Sequence, residues 1–453
     1  MNKPWQDISG SEHATTLNRK NGHANINYCA SLGLHQHYCT FFIGTMLVSL
    51  LFAILLTSRE ALPEGNFSFL DKSEFEKRPK VKYHLYDPQL FDMYSKCLPL
   101  LNRPCRRVND PKYSVDLHFV ESIIALNESV DPWDATLFIV PVLYSQFDGG
   151  PHAICHVSHA EETIAQMYGV LKSLGHYKPG IRDHFLMADH PDSGFHNHDW
   201  KKFIFEPELI VGRFENPAYS DLYTFITKGI DESQFISAGY ATHRGLLRNC
   251  PEHLSRARPL LAYRARKFLF SFTGGCQQEY WRNKFFYRNV LWNYTKQHDL
   301  PNDTFIHFYL KHQPLTETNR RVNGAEIFRN SDFVLNLSGD TPTTDRIWDA
   351  FEHHTMICAL NTEREALLRL MPFPNRVPWD ELFLWIDADA FVKEPVKAVK
   401  DTIFGLTDNE MERRFNLMLK HKRDVLWGFK DSVAVFNVIE EANFRVKTLG
   451  IAD

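Results

Sequence analysis

Residues 333 to 351 read Phe-Val-Leu-Asn-Leu-Ser-Gly-Asp-Thr-Pro-Thr-Thr-Asp-Arg-Ile-Trp-Asp-Ala-Phe. A hydrophobic run with strand character passes through a turn of small polar residues and enters an amphipathic helix. A strand feeding directly into a helix is the building unit of a parallel sheet covered by helices. No other stretch of the chain constrains the fold as tightly.

The same alternation recurs along most of the sequence. Strand-like runs are Val81–Tyr86, Thr136–Leu143, Asp183–Ala188, Phe235–Tyr240, Lys267–Phe272, Thr304–Leu310, Phe333–Leu337, Thr355–Leu360 and Leu382–Ile386. Helix-capable segments between them include Val115–Leu126, Ala160–Leu174, Glu279–His298, Asp345–His353 and Glu363–Leu370. So many strands exceed what one core holds, which predicts an α/β chain with two sheets. The best break is the proline- and arginine-rich stretch from Pro251 to Pro259, giving bodies at 81–255 and 256–453. Ligands of open α/β sheets bind beyond the carboxyl ends of the strands, so two facing Rossmann-like domains would place the turn after Leu337 in a cleft.

That turn, Ser338 to Thr344, offers hydroxyls and backbone N–H groups where a helix begins. A helix N-terminus carries about half a positive charge and unpaired donors, which suit a phosphate. Arg346 and Asp349 stand one helical turn apart on one face. An arginine can hold a diphosphate and a carboxylate can hold a ribose, so Ser338, Gly339, Asp340, Thr343, Thr344, Arg346 and Asp349 form a candidate nucleotide-sugar site. The plainer alternative is that Thr344 caps an ordinary helix.

A formal net charge of -4 supplies no basic footprint for nucleic acid. Residues 38 to 57 contain no charge and have about the 20-residue length of a membrane-spanning helix. Residues 1–37 read as a disordered cytosolic tail and 58–80 as a short stem. Flanking Lys and Arg give no orientation, but the acceptor triplets at Asn66, Asn127, Asn293, Asn302 and Asn336 all follow the span. This distribution points to a single-pass anchor with a lumenal body, Asn336 lying in the site itself and unmodified. Cys97 and Cys105, close in sequence, are the first candidates for a disulfide in that oxidising space.

Several segments resemble the exostosin-like family of inverting glycosyltransferases. They are Val81-Lys-Tyr-His-Leu-Tyr-Asp-Pro88, Asp131-Pro-Trp-Asp-Ala-Thr-Leu-Phe-Ile-Val-Pro-Val142, Gly180-Ile-Arg-Asp-His-Phe-Leu186 and Arg266-Lys-Phe-Leu-Phe-Ser-Phe-Thr-Gly274 followed by Arg282. The turn Ser338-Gly-Asp-Thr-Pro-Thr-Thr-Asp-Arg-Ile-Trp-Asp-Ala350 and the later Pro372, Phe373, Trp379 and Phe383 complete the ordered set. His354-Thr-Met-Ile-Cys-Ala-Leu360 departs from the family pattern.

The resemblance implies a GT-B fold and a Golgi type II membrane protein. It implies transfer of a sugar from a nucleotide-diphosphate sugar to a glycan or polysaccharide hydroxyl with inversion, with no cofactor required and no metal. A hetero-complex with other glycosyltransferases is a possible assembly. Arg282 joins Arg346 as a diphosphate ligand on this view. A base from the N-terminal domain would take the acceptor proton; Asp183 and His184 are the first candidates, and Asp189 and His190 suit the strand-end geometry equally.

Competing readings start from other residues. Asp387 and Asp389, closing a hydrophobic strand, suit a divalent cation and a diphosphate. His152, His156 and His159 have the spacing of zinc ligands on a helix. A membrane-tethered protein that binds glycans or scaffolds a synthase without catalysis is the alternative from another class.

Overall fold

The computed structural model describes residues 80–91, 115–143, 160–188, 206–213, 215, 231–241, 264–276, 285–310, 324–339, 341–427 and 432–449. The tail, the apolar span at 38–57, the stem before residue 80, Cys97, Cys105, the histidines at 152, 156 and 159, Asp189, His190, the 251–259 stretch, Arg282, Asp340 and Asn66 lie outside them. Among the described residues no helix is long and apolar enough to cross a membrane.

Two parallel sheets carry the chain. The first contains β1 (Tyr83–Leu85), β2 (Leu137–Ile139), β3 (His184–Met187), β4 (Leu209–Arg213) and β5 (Phe235–Ser237), five strands in sequential order. The second contains β6 (Phe268–Cys276), β7 (Thr304–Leu310), β8 (Ser331–Leu335), β9 (Met356–Leu360) and β10 (Phe383–Ile386). Its spatial order is β10-β9-β8-β6-β7. From β6 the chain goes outward to β7 on one side, then returns to β8 on the other. The order reverses between β6 and β8, and the crevice at a reversal point is where open α/β sheets take ligands.

The inner strands β8 and β9 are buried on both faces, so they read as continuous apolar runs. Alternate residues nevertheless go to different cores. Phe333, Leu335, Met356 and Cys358 join one cluster, and Val334, Ile357 and Ala359 join a larger one shared with the first sheet. That shared core holds the two sheets together. Trp427 donates its indole N–H to the carbonyl of Ala238 (2.8 Å), just beyond β5. The last helix, Ala434–Leu449, packs on β2, β4 and β5, and its Asn443 Oδ1 accepts from the Thr136 hydroxyl (2.9 Å). The C-terminal part of 256–453 therefore returns to the first body.

The helix Asp345–His353 is pinned at its carboxyl end by Arg266. This buried guanidinium donates to the carbonyls of Ser331 (2.6 Å), His353 (3.1 Å) and His354 (2.9 Å) and to the Thr355 hydroxyl (2.9 Å). A cation facing the last carbonyls of a helix complements its dipole. One end of the helix is thus fixed, and its first turn carries Arg346.

β4 has no counterpart among the sequence-based strands, since Gly212 interrupts its apolar run. The helix expected from Glu279 begins at Phe286.

Candidate functional site

The turn after β8 is held from within its own sheet by Asn336, which is fully buried. Its Oδ1 accepts from the Thr344 hydroxyl (2.6 Å), and its Nδ2 donates to the Pro342 carbonyl (3.2 Å). A buried side chain engaged at both ends cannot carry a glycan in the folded protein, in line with the expectation that Asn336 stays unmodified. Thr344 differs from expectation. Its hydroxyl points inward to Asn336, so it neither caps the helix nor offers itself to a ligand, and the first turn has no side-chain cap.

Two arginines fill the reversal point. Arg288, from the helix Phe286–Gln297, spans the gap between strands: Nη1 donates to Gly275 O (3.1 Å), while Nε and Nη2 donate to Leu337 O (3.2 and 2.9 Å). Arg346 lies alongside, its Nε donating to Thr273 O (2.5 Å) and its guanidinium 5.0 Å from the Phe272 ring centre. At both close approaches a side chain on the facing glycine would press on the guanidinium. A Cβ on Gly274 would stand 2.7 Å from Arg346 Nη2, and one on Gly339 would stand 2.7 Å from Arg288 Nη2.

Arg346 is 7 % exposed and Thr343 is 3 % exposed. Arg346 Nη1 and Thr343 Oγ1 are buried without a hydrogen-bond partner among the described residues. Buried polar groups in folded proteins are nearly always satisfied. A cationic donor and a hydroxyl left over at a helix N-terminus suit an anionic oxygen. Asp349 is buried one turn further along the same helix.

Glu363 is a carboxylate that the sequence did not single out. It follows β9 in a short 3₁₀ turn, Asn361–Glu363, and stands against Ser338. Burial pushes its carboxyl above the ordinary range, while the Ser338 hydroxyl, the Arg288 charge and the Ser338 N–H pull it down. A folded-state value above the unfolded one gives stability that is complete below the unfolded pKa and is lost as pH rises through the folded one. Glu363→Gln should therefore be more stable than wild type at neutral pH, with the difference shrinking below about pH 4, the unfolded carboxyl range. Urea midpoints of the two proteins across that range check the sign.

Asp183 and His184 are elsewhere. His184 is fully buried at the start of β3, with Nδ1 2.6 Å from Asp183 Oδ1 and Nε2 2.9 Å from the Tyr86 hydroxyl. Its ring stacks on Phe138 (4.9 Å) and Tyr86 (5.7 Å), and Tyr177 meets it edge-on (5.0 Å). Both nitrogens are engaged and the ring is packed on several sides, so the geometry is that of a structural clasp rather than an open base. Among the described residues no hydrogen bond or ring contact joins this pair to the 338–349 segment.

Asp387 and Asp389 are exposed at the end of β10. Asp387 caps the helix Ala388–Lys393, its Oδ1 accepting from Ala390 N (2.8 Å), and its Oδ2 lies 3.4 Å from Asn361 Nδ2. Among the described residues no group of three or more metal-ligating side chains converges.

No family model matches the chain, and no curated protein matches it. Among solved structures it is similar to a GtfA/B complex, at 9% identity with a TM-score of 0.31, over 62% of this chain and 61% of that one. It is similar to a Listeria monocytogenes protein described as a UDP-N-acetylglucosamine 2-epimerase, at 10% identity and TM-score 0.31, over 80% of this chain and 95% of that one. A third is the wall teichoic acid polymerase TagF, at 12% identity and TM-score 0.22, over 57% of this chain and 62% of that one. Likenesses this distant fix neither the fold nor the chemistry of this chain.

Proposed function

We propose that the chain is a glycosyltransferase of the exostosin-like class, with a GT-B architecture, that grips the diphosphate of a nucleotide sugar at the reversal point of its second sheet. The observation that carries this reading is that Arg346 Nη1 and Thr343 Oγ1, on residues flanking the start of one helix that has no side-chain cap, are both buried without partners among the described residues. Transfer builds charge on the departing diphosphate. Preorganised cations and N–H groups stabilise that charge most where water is scarce. Arg346 supplies the charge, Arg288 buttresses the crevice, and Ser338, Gly339 and Thr343 line the turn. Asp349 holds ribose hydroxyls on this reading; Arg282 and Asp340 are further ligands proposed from the sequence.

The acceptor is a glycan or polysaccharide hydroxyl and the outcome is inversion. The 38–57 segment anchors the chain in the Golgi membrane with its body lumenal, alone or with partner transferases. The closed packing of His184 favours a second reading, a non-catalytic glycan or nucleotide-sugar binder, unless Asp189 or His190 supplies the base.

The test is titration of the full chain with UDP and GDP by calorimetry, followed by a donor-sugar screen that reads released nucleoside diphosphate. Binding with turnover supports the proposal; binding without turnover supports the second reading as a nucleotide-sugar binder; absence of binding overturns the proposal. Because Asp387 is engaged in capping, turnover should survive excess EDTA. Loss of turnover that added Mn²⁺ restores would instead establish a metal-dependent site.

A further inference from the structure

The turn that carries the proposed diphosphate site is also held from the other sheet. Glu215, two residues past β4, accepts from the Thr341 hydroxyl at Oε1 (2.7 Å). The same oxygen accepts from the Tyr240 hydroxyl (3.3 Å), just past β5. Glu215 is 1 % exposed. Thr341 and Glu215 are 126 residues apart in sequence, and the bond ties the middle of the turn to the first sheet. Thr341 Oγ1 also lies 3.1 Å from the Thr343 carbonyl, so its position is linked directly to the residue whose hydroxyl lacks a partner among the described residues.

We propose that Glu215 is a positioning residue: through Thr341 it fixes the Ser338–Thr344 turn from the acceptor-side sheet, so that the donor site is fully formed only when the two sheets are docked. This inference rests on the proposed diphosphate site and deepens it. Asn336 holds the turn from its own sheet and Glu215 holds it from the other, so the Glu215 bond reports on the opposite body. A carboxyl oxygen suits the task, because Oε1 accepts from the Thr341 and Tyr240 hydroxyls at once. Its near-complete burial and the hydroxyls aimed at Oε1 make it an anchor rather than a group that meets the acceptor sugar.

The experiment compares UDP and GDP affinity, donor KM and kcat in Thr341→Val, Thr341→Ser, Tyr240→Phe and wild type, each checked for folding by thermal unfolding. Thr341→Val keeps the shape but removes the donor; it should weaken nucleoside diphosphate binding and raise donor KM about tenfold, with a smaller change in kcat. Thr341→Ser keeps the hydroxyl and should restore most of the affinity. Tyr240→Phe removes a hydroxyl from the same carboxylate without touching the turn, so it should lower thermal stability while leaving donor affinity near wild type. Equal loss of affinity in Thr341→Val and Tyr240→Phe would mean that only general stability is at stake, and would overturn the proposal. Should Thr341→Val not fold, a Thr341→Ser protein with weakened binding would overturn it equally. Wild-type binding that is lost in Arg346→Ala but untouched in Thr341→Val removes the Glu215 role alone; wild-type failure to bind either nucleotide removes the site and this role with it.

Discussion

Arg346→Ala should weaken UDP and GDP binding by about 10- to 100-fold, roughly 1.4 to 2.8 kcal/mol. Its Nε is anchored on the Thr273 carbonyl, its guanidinium lies over the Phe272 ring, and Nη1 is the buried donor without a partner among the described residues. Such a side chain is preorganised: ligand binding need not freeze it, and its charge is buried, where electrostatic interactions are strong. Lysine at this position keeps the charge but cannot reproduce the planar group that bonds Thr273 and presents a second nitrogen at once. Arg346→Lys should therefore recover only a fraction of the affinity. Isothermal titration at two salt concentrations checks both points, since an ionic contact weakens as salt rises, even where burial limits screening. If Arg346→Ala bound UDP and GDP as tightly as wild type, with the same salt dependence, the diphosphate would have to sit elsewhere.

The sequence made the fold class visible because parallel strands, buried on both faces, leave unbroken apolar runs. Thr304–Leu310, Val115–Leu126 and Asp345–His353 have the bounds that periodicity alone suggests. β4 escaped because Gly212 breaks its run.

The candidate site was only half legible. That Ser338 to Asp349 forms a turn and helix start follows from local chemistry. That Arg288 stands at the same point does not, since it depends on how the helix after β6 crosses the sheet; Arg288, not singled out in the sequence, bridges β6 to the segment after β8, while Arg282 lies outside the described residues. Thr344 looked like a ligand because nothing local reveals that its hydroxyl turns back to Asn336. The Asp387-Ala-Asp389 run shows the reverse difficulty. A carboxylate ending a strand can bind a cation or cap the next helix, and here Asp387 bonds Ala390 N. Glu215 carries no local signal, because its role is a contact made only when the two sheets meet.

That meeting also predicts a large stability effect. Trp348 sits on the helix of Arg346 and Asp349 and is fully buried. Its indole packs against Gly239, whose backbone has φ of +75° and where a Cβ would stand 3.0 Å from the ring. The Tyr240 ring centre is 6.5 Å away and that of Trp379 is 5.6 Å away. The indole thus fills the space between the segment after β5 and the helices of the second sheet. Trp348→Ala should cost about 3–5 kcal/mol, the range for removing a large buried aromatic whose surroundings cannot fully collapse. Trp348→Phe keeps most of the contact and removes an indole N–H that is buried without a partner among the described residues, so it should cost far less. Urea unfolding of the three proteins separates the cases. A Trp348→Ala protein within about 1 kcal/mol of wild type would mean that the segment after β5 yields to fill the hole. The two sheets would then be free to shift, and the Thr341–Glu215 bond could not hold the turn against the first sheet.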